Sequence, residues 1–212
     1  MKAFLFLATG FEEMEAIGTI DILRRGNIET TTVSITGEQT VTGVHGIPVI
    51  ADALFEDIDY STADALILPG GGPGSLLLNQ HAALRQALVD ACANGKLIAA
   101  ICAAPRVFGS LGLLNGKNAT CYPGIEPELT GANIISAPVI IDQNIITGRG
   151  PGLVIDFGLA ILTYLKANTQ QVASDLLVAK PTSPFEESDN DIKNERVYTA
   201  KNADDLITQC LK

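Results

Sequence analysis

LIAAICAAPRVF, residues 97–108, is an aliphatic run that breaks off at a cysteine and continues with two alanines and a proline. The run within KLIAAI (96–101) has the length and apolar character of a buried strand. Pro105 suits the first turn of a helix over APRVFGSLGLL (104–114), where a missing N–H costs little. Cys102 therefore falls where a strand stops and a helix starts. In open parallel α/β sheets, active sites form at the carboxyl ends of the strands. Small neighbours, Ala103 and Ala104, permit a tight reversal that pushes the cysteine side chain out of the sheet, as a nucleophile elbow does for serine, at the expense of a strained backbone. A helix N-terminus favours thiolate, so the thiol pKa is expected to be lowered. Position alone also allows a plainer reading, in which Cys102 is a small core residue ending a strand.

Outward from this stretch the chain alternates strand and helix. KAFLFLA (2–8) reads as a strand and EEMEAIGTIDILRR (12–25) as a helix. ETTTVSIT (29–36) reads as a second strand, and GIPVIADA (46–53) as a hairpin or strand excursion. ADALILP (63–69) is a third core strand that ends in GGGPGS, followed by a helix over HAALRQALVDACANG (81–95). NATCYPG (118–124) and the pair within APVIIDQNIITG (137–148), turning at Asp142-Gln143-Asn144, supply further strands. GPGLVIDFGLAILTYLKAN (150–168) is the most apolar helix, and TQQVASDLLV (169–178) is another. Such alternation implies a doubly wound, mostly parallel sheet with helices on both faces. One domain is expected over 1–180. Residues 181–212 are expected to form a C-terminal extension packed on it, with an edge strand at 196–200 and a short helix at 203–212 capped by Asn202.

Composition narrows the function classes. At 212 residues and 47% hydrophobic, the chain can bury the core of one α/β domain. A net charge of −10 without a Lys/Arg cluster argues against nucleic-acid partners. Ala3–Ala8 is too short to span a bilayer and too poor for a signal peptide, so no membrane association and a cytoplasmic location are expected. Cysteines occur at 92, 102, 121 and 210, with only His45 and His81 beside them; no spacing suits zinc, and neither metal nor cofactor is expected. Cys92 and Cys210 read as small hydrophobes.

Two other strand ends share the rim with Cys102 in a doubly wound sheet. ATGFEEMEA (8–16) places carboxylates at a helix start, and LPGGGPG (68–74) supplies glycines. Backbone N–H groups of Gly71 and Gly72 can approach a developing oxyanion there. GGGPG matches neither dinucleotide nor P-loop fingerprints and can equally be a tight turn.

ATGFEEMEA, DALILPGGGPG, LIAAICAAP and TGRGPG occur in an order that resembles the ThiJ/PfpI superfamily, in its branch of small protein deglycase and glyoxalase III-like proteins, from about Lys2 to Lys180. The resemblance implies a flavodoxin-like, class I glutamine amidotransferase-like fold and a homodimer. It makes Cys102 the nucleophile, Glu15 the carboxyl that hydrogen-bonds it, Gly71 and Gly72 the oxyanion side, and Ala103 a further N–H donor. It also places Tyr122, Arg25, His45 and Pro151 at the binding site, Arg25 and His45 by approach to the partner's site; His45 can equally be a loop residue. Beside a thiolate, Glu15 should hold a proton, which it can donate to sulfur and shuttle. Glu12 and Glu13 are expected to be solvated, or to pair with Arg24 and Arg25.

Relatives often carry histidine before proline where this chain has Tyr122-Pro123, and a phenol is a poor base at neutral pH. Alternation should bury Cys121 and turn Tyr122 to the pocket, leaving Cys102 the most reactive thiol. The resemblance implies a cysteine-dependent enzyme for small carbonyl compounds, 2-oxoaldehydes or their protein and nucleotide adducts. A redox sensor or stress-response chaperone using the same cysteine is the alternative, and a silent binding module a third. Ala103, where the peptidase branch has histidine, disfavours proteolysis.

Overall fold

The structure is a computed structural model and describes residues 1–178. The expected extension at 181–212, with its strand and helix, lies outside the described residues. Met1–Ala173 form one unit, and Ser174 begins a second.

Strand β1 (Lys2–Leu7) is buried from Ala3 onward, as a continuous apolar run in a sheet covered on both faces should be. Helix α1 (Glu13–Arg25) follows, with acids in its first turn and Arg24 and Arg25 in its last, the order that the helix dipole favours. Strand β2 (Glu29–Ser34) lies parallel to β1. The excursion expected at 46–53 is an antiparallel hairpin, β3 (Thr40–Thr42) with β4 (Pro48–Ile50), followed by β5 (Ala53–Leu54) beside β2. Next come β6 (Ala65–Leu68), α2 (Gly72–Gln80), α3 (Ala82–Ala93), β7 (Leu97–Ile101) and α4 (Pro105–Ser110). Among the described residues, strands β8 (Asn118–Ala119) and β9 (Asn133–Ile134) pair only with each other. An antiparallel hairpin of β10 (Val139–Asp142) and β11 (Ile145–Gly148) leads to α5 (Val154–Tyr164) and α6 (Thr169–Asp175).

The main sheet has the order β10-β11-β7-β6-β1-β2-β5, parallel apart from β10. Helices α1 and α5 pack together, as do α2, α3 and α4. Leu78, Leu84, Leu88 and Phe108 of the second group bury Phe4, Phe6, Leu66 and Leu68 of the sheet. The strand order reverses direction between β1 and β6, which makes their carboxyl ends the crevice where ligands bind in such sheets.

Four expectations change in detail. The expected GGGPGS loop opens helix α2: Pro73 stands in its first turn, and Gly74 N–H reaches Gly10 C=O at 3.1 Å. The strand expected over 118–124 keeps only Asn118–Ala119, because from Thr120 the chain bonds to side chains and to the cysteine turn instead of to a ladder. The helix expected over 104–114 stops at Ser110 in a series of turns, and that over 150–168 starts at Val154 after a 3₁₀ turn at Pro151–Leu153.

Candidate active site

Cys102 follows β7 directly and precedes α4, with φ of 64°, the left-handed region that a non-glycine residue enters only when its surroundings force it. Both of its backbone groups are tied. Its N–H donates to Gly148 C=O at 2.9 Å, and its C=O accepts from Tyr122 N–H at 2.8 Å. The residue is 8% exposed, with its side chain turned towards the ends of β1 and β6.

Glu15 comes from the first turns of α1 and is wholly buried. Its Oε2 accepts the Gly70 N–H at 2.7 Å. A Cβ added to Gly70 would stand 2.5 Å from Glu15 Oε2 and 2.6 Å from Cys102 Cβ, so glycine here lets carboxyl and cysteine close in on each other. The Glu15 carboxyl and the Cys102 thiol lie close enough to shift each other's ionisation, while buried Glu15 Oε1 has no hydrogen-bond partner of ordinary geometry. Backbone N–H groups of Gly71 and Ala103 also reach the sulfur. Gly71 has φ of 88°, and a Cβ there would meet Gly10 O at 2.3 Å, so only glycine brings its N–H to this point.

Burial raises the Glu15 pKa to about 7; the charge of Glu12 adds to the rise, while hydrogen bonds from Cys102 and Gly70 oppose it. Burial also pushes the Cys102 thiol up to about 12, helped by the charge and hydrogen bonding of Glu15 and opposed by the Gly71 and Ala103 N–H groups. The expectation of a lowered thiol pKa is thereby corrected. Helix α4 has six residues and a correspondingly small dipole, and desolvation outweighs it. The repulsion from Glu15 acts only while that carboxyl is ionised. At neutral pH the thiol holds its proton and Glu15 is partly protonated, and the two groups titrate as a pair.

The other expected residues are distributed unevenly. Gly72 begins α2 facing open space and is not among the sulfur's partners. Tyr122 is tied to Cys102 through its backbone; its half-exposed ring lies beside Gly150, while Cys121 is buried. Pro151 sits at the end of β11, in the turn that follows Gly150. Arg25 is at the opposite end of α1 from Glu15, paired with Asp21 at 2.7 Å, so within one chain it does not join the site. His45 does come near: the hairpin loop is pinned to the β1–α1 turn by Gly10 N–H to Thr42 C=O and Val44 N–H to Phe11 C=O, both 2.8 Å.

Glu12 and Glu13 are not solvated, and neither pairs with Arg24 or Arg25. Glu12 caps α1 by accepting Glu15 N–H at 2.7 Å, which explains its burial. Glu13 accepts His45 N–H at 2.7 Å and lies 2.8 Å from His45 Nδ1; burial notwithstanding, these bonds hold its carboxyl below the usual range. Arg24 instead reaches Asp52. Among the described residues, Glu12, Glu13 and His45 are also the one group of three potential metal ligands, with atoms within 4.8 Å of one another. Their carboxylates are already engaged by backbone N–H groups. Sequence reasoning missed Gly70 and the Glu13–His45 pair; the signal for Gly70 was present in the first glycine of GGGPG.

A buried acid facing a cysteine at the switch point of a flavodoxin-like sheet, in a strained turn between strand and helix, defines a class of α/β proteins. The chain belongs to the DJ-1/PfpI family, whose model matches residues 1–164. It is 39% identical over 183 residues to Protein DJ-1 homolog B of Arabidopsis thaliana, covering 85% of this chain and 42% of that one, so it spans less than half of that relative's length. A deglycase of Pyrococcus abyssi is 33% identical over 155 residues, covering 72% of this chain and 92% of that one. The crystal structure of Drosophila melanogaster DJ-1beta superposes with a TM-score of 0.79 at 36% identity, covering 84% of this chain and 98% of that one. Among the described residues, no helix is long and apolar enough to cross a membrane.

Proposed function

We propose that the chain is a cysteine-dependent enzyme acting on small 2-oxoaldehydes or on their adducts with protein and nucleotide groups. The observation that carries this reading is the buried Glu15 carboxyl set against Cys102 across Gly70, at a backbone that holds the sulfur at the rim. The similarity to the Pyrococcus abyssi deglycase supports the reaction class.

The Glu15 carboxylate takes the thiol proton as sulfur adds to the aldehyde carbon, forming the C–S bond of a hemithioacetal. The new alkoxide takes the Glu15 proton. The Gly71 and Ala103 N–H groups, which act on the sulfur, would be the nearest donors to this developing negative charge. The Glu15 carboxylate then removes the hydrogen on that carbon as a proton, leaving an enediolate; the hydroxyl proton passes to the neighbouring oxygen and Glu15 returns its proton to the neighbouring carbon, giving a 2-hydroxy thioester. Water cleaves the thioester, releasing a 2-hydroxy acid and the thiol. A carboxyl with pKa about 7 suits both proton transfers, because donor and acceptor forms coexist at neutral pH. No group outside the pair is required as base, which accommodates Tyr122 in place of histidine.

The alternative use of the site is redox sensing. The same N–H groups and a protonated Glu15 would also bind sulfinate oxygens on an oxidised Cys102. Turnover of methylglyoxal to lactate, compared between wild type and Cys102→Ala, decides between the readings: loss of turnover in the variant supports the enzyme, and equal rates discard it.

A homodimer forms part of the proposal. Met14 and Ile17 of α1 are exposed, as are Val44, Ile47 and Ile50 of the hairpin region pinned to its N-terminal end. Monomeric proteins rarely leave such an apolar face open. The face also carries His45 and thus leads towards the site rim. Ile17→Lys should shift sedimentation to a monomer; an unchanged dimer would place the contact elsewhere.

A further inference from the structure

Arg106 lies one turn of α4 beyond the cysteine and is buried, with its side chain 8% exposed. Its guanidinium donates to Glu128 Oε1 at 2.9 Å, and its Nε–H is buried without a partner. A pair made from a desolvated cation and a half-exposed acid is weak evidence of stabilisation, since an apolar side chain of similar size would fill the space without an orphaned donor. The placement of the pair offers a better account. Glu128 ends a 3₁₀ turn, Glu126–Glu128, which continues from Tyr122 through hydrogen-bonded turns: Ile125 N–H to Tyr122 C=O at 3.1 Å and Glu128 N–H to Ile125 C=O at 2.9 Å. The far end of this segment is the Tyr122 N–H that holds the Cys102 carbonyl. Between the two anchors, α4 and the segment touch backbone to backbone, since a Cβ on Gly109 would stand 2.2 Å from Glu128 O.

We infer that Arg106 and Glu128 form a strut that presses the 122–129 segment against α4 and so holds the left-handed turn of Cys102. Arg106 is a positioning residue in this role. The groups acting directly on the sulfur are Glu15, Gly71 and Ala103. A cysteine at positive φ persists only where neighbours over-determine it. Here the neighbours are Gly148 on one side and the Tyr122 segment on the other.

The test reads an amide and a thiol, so it stands whether or not aldehydes are turned over. Arg106→Met removes the cation without leaving a buried charge. The expected result is faster hydrogen exchange at the Tyr122 amide and iodoacetamide labelling of Cys102 slowed by roughly tenfold, well inside the ~100-fold that a one-ångström misplacement can cost. Cys92 labelling, β-sheet amide protection and Tm should stay at wild-type values, and Arg106→Lys should recover part of the loss. Glu128→Gln retains an acceptor for Arg106 and is the second variant if Arg106→Met does not fold; it should show the same two changes, smaller. Unchanged Tyr122 exchange, unchanged or faster Cys102 labelling, or loosening of the whole sheet in the variant that folds would overturn the strut.

Discussion

Cys102 and Cys121 occupy neighbouring regions and look alike by burial. They are 8% and 4% exposed, and burial pushes their thiols up to about 12 and about 11. What surrounds them differs. Cys121 sits in the apolar core with Ala104, Val107 and Phe108, and the charged groups acting on it are Glu126, Glu128 and Arg149. Cys102 lies outside that cluster, against a protonatable carboxyl and two N–H groups. Burial alone silences a thiol. Burial beside a carboxyl that can take its proton, with donors in place for negative charge, makes a thiol that can react when a substrate arrives.

The comparison is most easily broken by deletion. Cys102→Ala should reduce aldehyde turnover to background, as loss of a nucleophile does, while Cys121→Ala should retain it and lose about 1 kcal/mol of stability from its small cavity. Turnover by the first variant, or none by the second, would reverse the assignment.

Gly70→Ala is the next largest change. The new methyl group would meet Glu15 Oε2 at 2.5 Å and Cys102 Cβ at 2.6 Å, separating the pair without removing either member. Turnover should fall by about 100-fold, with a smaller loss for methylglyoxal binding. A variant with wild-type kcat would show that the carboxyl and sulfur need not touch.

Glu15→Gln sharpens the electrostatics. A carboxyl raised from 4.5 to about 7 in the folded state is protonated in both states below pH 4.5 and contributes no penalty there. As pH rises from 4.5 to 7, the unfolded chain ionises first and stability falls; above 7 the loss is constant, about 3 kcal/mol. Glu15→Gln should abolish this slope and melt higher than wild type at pH 8, yet lose turnover. Parallel stability curves for the two proteins between pH 4.5 and 7 would mean that Glu15 is not raised.

The smallest effect is expected from Tyr122→Phe. The ring is half exposed, and the backbone N–H makes the Cys102 contact, so kcat should change by less than ~3-fold. A larger loss would give the phenol a chemical role.

Much of the fold was legible because its signals are local. Buried strands such as KAFLFL read as unbroken apolar runs, and α1 shows its ends in acids and arginines. Helix α2 was not legible: Pro73 and Gly74 read as breakers, although Pro73 stands where a first turn accepts it and Gly10 supplies the bond partner for Gly74 N–H. Glu12 and Glu13 misread as solvated for a related reason, since the N–H groups and the histidine that engage them come partly from a hairpin far along the chain.

From sequence alone came the order of elements and the place of Cys102 between strand and helix, because aliphatic periodicity, small residues and proline act within a few positions of themselves. Tertiary structure alone decided that Glu15 meets Cys102 across Gly70, and that Arg106 meets Glu128. It also decided that desolvation, not a helix dipole, governs the thiol. These contacts join strand ends brought side by side by sheet order, and the pKa values depend on how much water the packed rim excludes. Neither quantity is a property of any short stretch of chain.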